Sequence, residues 1–361
     1  MESTIEADDE RFAYFQRMVQ GSVTISLIIN ILAAYLILKH SPKTLFEYRY
    51  VLLNIFLWAI LADIHMGFIY LPRPALEIVG AYSTGLARHF GSSVGFFMLT
   101  VSVFLFASYL TSLAYGFLYR VLSLKDHGLM RTLHSKKGKI IVFFVHILIG
   151  SLFSYPVQFC HLDDDLYKFL VLQDHPQYQT FFKEHPMFGS NYKYKPIIFA
   201  ASVINAYLVS WLFFIVFCLV AFLRHLRAAK FTMKNKAYKL QVNLFRALAV
   251  QTFAPIILLC VPFTMVFLGF IFRFPFHNMI VELTEVVYTF HSIINGLVVI
   301  FMIPAYRKVV IGSYQKLIVE IGIHKVIKSI SNETGMTATK VQTISVRNTT
   351  LCSDRVFAKR F

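Results

Sequence analysis

The chain has 361 residues, of which 57% are hydrophobic and only 15% charged, and its formal net charge is +16. Soluble globular domains carry about 25% charged residues, so a soluble fold is excluded and an all-α membrane protein is expected. Its four cysteines, Cys160, Cys218, Cys260 and Cys352, fit neither a zinc site nor a disulfide framework.

Residues 1–20 are acidic and lack the basic start of a cleavable signal peptide. They read as an extracellular N-terminal segment before a first span at 21–39, which acts as a signal anchor. A helix needs about 20 apolar residues to cross the hydrocarbon, and six further stretches qualify: 51–71, 91–119, 140–159, 197–223, 241–272 and 279–303. The transmembrane domain is thus predicted over 21–303. The Pro- and Gly-rich stretch "LPRPALEIVGAYSTG" between the second and third spans reads as a loop.

The second span carries Asp63 and His65. A charged group at mid-bilayer is costly, so Asp63 is expected to face the bundle interior. It would anchor a polar network with Asn295 and His291 of the seventh span, or hold an ion. On the third span, Ser108, Thr111, Ser112, Tyr115 and Tyr119 recur at helical spacing. Such small and hydroxylated residues favour close packing between helices. The third span ends at Tyr119-Arg120, where a guanidinium can engage a partner helix or serve as a basic anchor. Arg224, Arg227 and Lys230 close the fifth span.

The loop 160–196 is long and aromatic, which suits a lid over the bundle mouth. Nothing in 72–100 could pair with Cys160. In the sixth span Arg246 can snorkel to the interface, Gln251 should face other helices, and Pro255 and Pro262 should kink the helix on one face. Glu282 and Glu285 stand near the start of the seventh span, as ligand contacts or as interfacial groups. With His291, Thr100 and Tyr109 they make up the candidate ligand-binding set. After Pro304, residues 304–322 mix basic and apolar side chains and suit an amphipathic helix on a membrane surface. A Ser/Thr-rich tail, 323–361, is expected to be disordered.

Orientation follows from Lys and Arg. One set of connections, including the tail, holds 25 basic and 5 acidic residues, whereas the opposite set holds 9 and 11. The N-terminus is therefore predicted outside and the C-terminus inside. This sorting also accounts for the net charge, so no nucleic-acid partner is invoked. There is no HExxH motif, P-loop or GxSxG, so neither an enzyme nor a cofactor is expected.

"LQVNLFRALAVQTFAPIILLCVP" (240–262) resembles the Leu-Gln, Ala-Leu, Gln, Pro, Pro pattern of nematode serpentine chemoreceptors of the Str superfamily, in its class H or class I branch. "SPKTLFEYRYVLLNIFLWAILADIHMGFIYLPRP" (41–74), "LAYGFLYRV" (113–121) and "FHSIINGLVVIFMIPAYRKVV" (290–310) are similar to that family's first inner loop with second helix, third helix end and last helix. The resemblance covers roughly residues 20–320. It implies a G-protein-coupled receptor for environmental chemicals at the plasma membrane of sensory neurons, often on cilia. Its partners would be a small-molecule ligand, the lipid bilayer and a heterotrimeric G-protein, the last met by Tyr119, Arg120, Arg224, Arg227 and Lys230. Arg120 falls where rhodopsin-like receptors carry Asp-Arg-Tyr, but the preceding acid is missing. Alternatives are a seven-span channel of inverted topology, against which the charge sorting argues, and a small transporter, whose paired broken helices are not found.

Overall fold

Hydrocarbon offers no hydrogen-bond partner to a peptide group, so an apolar run must satisfy its backbone internally and winds into a helix. The computed structural model describes residues 2–334 except 43, 44, 46, 126, 127, 129–131, 134, 191–194, 232, 263 and 267–276. Among the described residues, seven helices are long and apolar enough to cross a membrane: Arg11–His40, Tyr48–Tyr70, Ser92–Leu124, Lys136–Gln158, Lys195–Ala229, Ala237–Leu258 and Met279–Met302. They match the seven expected spans in number and order.

The first helix, α1 (Glu2–His40), is 39 residues long. The helix includes residues 2–20 of the expected N-terminal segment, and its membrane-capable stretch begins within that segment, at Arg11. Helix α2 (Tyr48–Ile64) passes into a π-helical stretch, His65–Tyr70, which stops at Leu71 in the left-handed region with φ 40°. Helix α3 (Ser92–Lys125) has 34 residues, roughly 51 Å at 1.5 Å each. Helix α4 (Lys136–Gln158) begins at Ser135, whose hydroxyl accepts a hydrogen bond from the Gly138 N–H at 3.0 Å, satisfying one of the orphan donors of a helix start. Two short helices follow, α5 (Asp164–Asp174) and α6 (Gln179–Glu184). The remaining spans are α7 (Lys195–Ala229), α8 (Asn235–Pro255) with a π-helical continuation Ile256–Cys260, and α9 (His277–Met302).

Helix α3 is central and packs against α2, α4, α7 and α8. The largest core cluster gathers Ile55 and Trp58 of α2, Leu110, Leu113 and Phe117 of α3, Phe222 of α7, and Phe245 and Leu248 of α8. The rings of Phe222 and Phe245 stack with centroids 4.1 Å apart. Helix α1 lies against α9. Gly296 permits this approach: a Cβ there would stand 2.5 Å from Ile29 Cγ2 and 2.8 Å from Asn30 Oδ1.

One expected loop is ordered as sheet. Strands β1 (Pro72–Ala75), β2 (Gly80–Ser83) and β3 (Phe188–Gly189) form a three-stranded antiparallel sheet in the order β1-β2-β3. Pro72 pairs with Ser83, and Gly80 with both Ala75 and Gly189. Pro72 and Pro74 lie on the edge strand, where a missing N–H donor is tolerated.

Helix α10 (Pro304–Thr334) forms a segment of its own. It extends past 322, the expected end of the amphipathic helix, into the tail that was expected to be disordered. Ile311, Tyr314, Ile318 and Ile321 are exposed at spacings of three and four, an apolar stripe at helical period. Residues 335–361 of the expected tail lie outside the described residues.

Candidate functional site

The sheet, α5 and α6 form a lid over one end of the bundle. Its own core is Ile78, Tyr82, Tyr167, Val171 and Met187. Asp163 caps α5 by accepting hydrogen bonds from the backbone N–H of Asp165 and Leu166. The Tyr167 hydroxyl donates to the Ile78 carbonyl at 3.1 Å, and Ser92 donates to the Asp164 carboxylate. Phe188 of β3 reaches down into the bundle mouth among Tyr70, Phe96, Val157, Cys160 and Ala200. Gly95 of α3 makes room for it, since a Cβ there would be 2.6 Å from the Phe188 ring.

Beneath the lid lie the candidate ligand residues of α9. The Glu282 carboxylate is 3.5 Å from Arg11 Nε of α1. Glu285 is one turn further in, and among the described residues neither a hydrogen bond nor an ion pair reaches it. The His291 ring nitrogen Nδ1 bonds to the Tyr288 carbonyl of its own helix, and the ring stands edge-to-face with Tyr109 at 5.1 Å. Tyr109 is buried and its hydroxyl has no partner. Thr100 does not join this group: its hydroxyl accepts from Gln158 of α4.

Deeper in the bundle, Asp63 is fully buried, and Oδ2 accepts from Ser26 at 2.7 Å, Ser292 at 2.6 Å and Asn30 at 3.4 Å. The Asn30 amide also donates to Ser292 at 2.8 Å. Asp63 thus ties α2 to α1 and α9, as expected for a network reaching the seventh span, but through partners that had not been foreseen. Asn295 instead accepts from Gln251 of α8 at 2.6 Å. His65 turns to α3, with Nε2 2.9 Å from Ser102 Oγ and 3.0 Å from the Met98 carbonyl. The expected single network of Asp63, His65 and Asn295 is therefore three separate contacts. The reason is rotational: the three side chains leave their helices toward different neighbours. Ser26 and Asn30 were legible in principle, as polar residues four apart in an apolar run.

The polar residues of α3 mostly serve packing. Ser108 donates to the His146 carbonyl at 3.5 Å, Thr111 and Tyr207 of α7 are hydroxyl partners at 3.1 Å, and Ser112 donates to the Tyr109 carbonyl at 2.6 Å.

At the opposite, basic end, Arg120 is only 2% exposed. Its guanidinium lies over the Tyr48 ring of α2 at 3.3 Å and donates to Gln241 of α8 at 3.2 Å. Tyr119 lies beside Tyr48, ring centroids 5.5 Å apart. Arg224, Arg227 and Lys230 are exposed on α7 and its end. Tyr48 and Gln241 carry no local signal of this role, because only helix packing brings them to Arg120.

Between the two ends, α8 changes its winding. Pro255 is buried, and the π-helical turn Ile256–Cys260 follows it directly, with Pro262 two residues beyond. Proline lacks the N–H that an α-helix would use and pushes against the preceding turn. The disruption is accommodated as a π segment, a form concentrated at functional sites. The expected kink site is thus a stretch of altered winding bracketed by the two prolines.

A family model described as the serpentine-type seven-transmembrane G-protein-coupled chemoreceptor Sri matches residues 8–310. The chain belongs to the Sri family of serpentine chemoreceptors. The match spans all seven helices, the lid and the start of α10. Among curated proteins no match was found. The Sri receptor is thus a multi-pass membrane protein of the chemosensory receptor type, and its family is a receptor family rather than one of enzymes.

Proposed function

We propose that this Sri receptor binds a small environmental chemical beneath the lid, in the outer half of the bundle, and activates a heterotrimeric G-protein at its basic end. The observation that carries this reading is the Arg120 clasp. One guanidinium bridges α2, α3 and α8 at the end where the basic connections gather. The same helix α8 carries, further along, the Pro255 π segment and, through Gln251, a bond to α9. A ligand that shifts α9 or the outer part of α8 therefore acts on the helix whose inner end holds Arg120. Release of the clasp would expose Arg120 beside Arg224, Arg227 and Lys230, a basic surface for a G-protein.

The charge sorting supports an inside placement for this end. The plasma membrane, and sensory cilia within it, are the location the receptor class suggests. Placement in the class H or class I branch of the nematode Str superfamily rests on the order and spacing of the motifs. Expression in heterologous cells, with G-protein activation measured across a chemical panel, tests the function. Surface-expressed receptor that never couples, with ligand or with the clasp removed, would refute it.

A further inference from the structure

Where α2 and α4 begin, at the end where the basic connections gather, two cations share one aromatic ring. Tyr50 is in the first turn of α2 and Lys139 in the first turn of α4. Lys139 Nζ lies over the Tyr50 ring, 3.4 Å from its centre. The Arg49 guanidinium is 4.9 Å from the same centre, and its Nη2 donates to the Tyr50 hydroxyl at 2.9 Å. Tyr50 and Lys139 are exposed, as are Lys136 and Lys137 just before Lys139.

This contact heads a seam that runs inward between the two helices. One turn on from Tyr50, Asn54 meets His146 of α4 at 3.1 Å. A turn further, the Trp58 ring stacks on the same imidazole, with centroids 5.6 Å apart. Beside the seam the surface is apolar. Leu57 and Leu61 follow Tyr50 by seven and eleven residues, which keeps them on its face of α2. Phe143 follows Lys139 by one turn of α4. All three are exposed.

Basic residues that only mark one side of a membrane protein reach separately into water. Here one ring gathers two like charges from different helices. Each is attracted to the ring, but they repel one another, and an anion set between them offsets that repulsion. The cluster stands at the head of two transmembrane helices, the level at which tyrosines meet lipid headgroups. Basic sites between helices at the cytoplasmic side recognise anionic headgroups. A soluble anion would use the charges alone, whereas a phospholipid also uses the apolar surface next to them.

We propose that Arg49, Tyr50 and Lys139 bind the phosphate-bearing headgroup of an anionic phospholipid, with an acyl chain lying along Leu57, Leu61 and Phe143. This site is separate from the space under the lid and does not depend on what the receptor senses.

The test uses the full-length receptor in mixed micelles. Dioleoyl phosphatidylcholine, phosphatidylserine or phosphatidic acid is titrated in, and retained lipid is counted by native mass spectrometry. The two anionic lipids should be retained in preference to phosphatidylcholine. Lys139→Gln and Arg49→Gln should each weaken that retention by about fivefold, the scale for one basic residue at a lipid surface. Tyr50→Leu removes no charge yet should weaken it too, because the ring brings the cations together. Lys168→Gln, exposed on α5 of the lid, should change nothing. If Tyr50→Leu fails to fold, Lys139→Gln against Lys168→Gln decides. Equal retention of phosphatidylcholine would overturn the proposal, as would equal losses in Lys139→Gln and Lys168→Gln. Displacement of the lipid by inorganic phosphate at equal concentration would show a site that reads phosphate without the chain, and would overturn the assignment to a lipid.

Discussion

Arg120 and Tyr48 are in face contact, with the guanidinium 3.3 Å from the ring centre, and the nearest oxygen partner is the neutral amide of Gln241 at 3.2 Å. Among the described residues no carboxylate takes part, and Nε and one terminal nitrogen of Arg120 have no partner. A buried cation compensated this thinly is costly to keep in place, so the clasp closes the bundle without locking it. Gln241→Ala removes a hydrogen bond to a charged group, worth about 1.5–3 kcal/mol. It should raise ligand-free signalling at equal surface level by about tenfold or more. Tyr48→Ala should act in the same direction. Arg120→Ala should instead lower ligand-driven signalling while surface expression persists. Normal signalling by Arg120→Ala at normal expression would rule out a coupling role.

Pro255 precedes the π-helical turn Ile256–Cys260. Pro255→Ala restores the N–H and removes the ring clash, letting α8 continue as an ordinary α-helix. Ligand-driven signalling should fall, with surface level and thermal stability little changed. Dose–response curves normalised to surface protein check this. A loss of expression alone would mean that the winding serves folding.

The lid is pinned by Tyr167. Gly80 and Gly189 both back onto its side chain so closely that a Cβ at either would collide with it. Tyr167→Phe loses the bond to the Ile78 carbonyl and should weaken the lid by about 1 kcal/mol. Gly189→Ala should do more, because it displaces the ring as well. Hydrogen exchange across residues 164–189 reads both, with faster exchange expected in that order and the spans unaffected.

Cys160 is buried at the lidded end and free, and burial pushes its thiol up to about 11 from 9.0. The thiolate is the reactive form, so Cys160 should resist a maleimide at pH 7–8 in the folded receptor and react once unfolded. Between pH 9 and 11 the unfolded chain loses this proton while the folded chain keeps it. Folding stability should therefore decline as pH rises through that window. Cys160→Ser should leave the lid closed, since no disulfide holds it.

Two sequons, at Asn332 and Asn348, occur in the C-terminal region. Glycosylation requires a lumenal or extracellular site, and the basic excess on that side predicts that they lie inside. Neither should be glycosylated in microsomes. Gln173→Asn with His175→Thr makes a sequon at the end of α5, with Gln173 exposed, and it should be used. The readout is a glycosidase-sensitive gel shift. A native shift abolished by Asn332→Gln or Asn348→Gln would put the tail outside and favour the inverted channel class.

The sequence by itself determined the seven spans, their order and their charge sorting, because apolar length and Lys/Arg bias are local properties that lipid reads directly. It also marked Asp63, Gln251, Pro255 and Glu285 as exceptions within apolar runs, since each breaks a rule that holds along one helix. Which of these met which was decided only by the tertiary structure. Asp63 went to Ser26, Asn30 and Ser292, while Asn295 went to Gln251. Helix rotation about its own axis sets such partners, and a change of one residue in phase turns a side chain by about 100°. The lid depended still more on tertiary structure. β1 and β2 are short, β1 carries two prolines, and β3, more than a hundred residues further along, supplies two residues. No local propensity announces such a sheet, because its stability comes from Tyr167 and its neighbours closing over it. Arg120 is the clearest case: its position at the basic end was legible from charge, but its burial beneath Tyr48 and beside Gln241 exists only because α2 and α8 pack against α3 there.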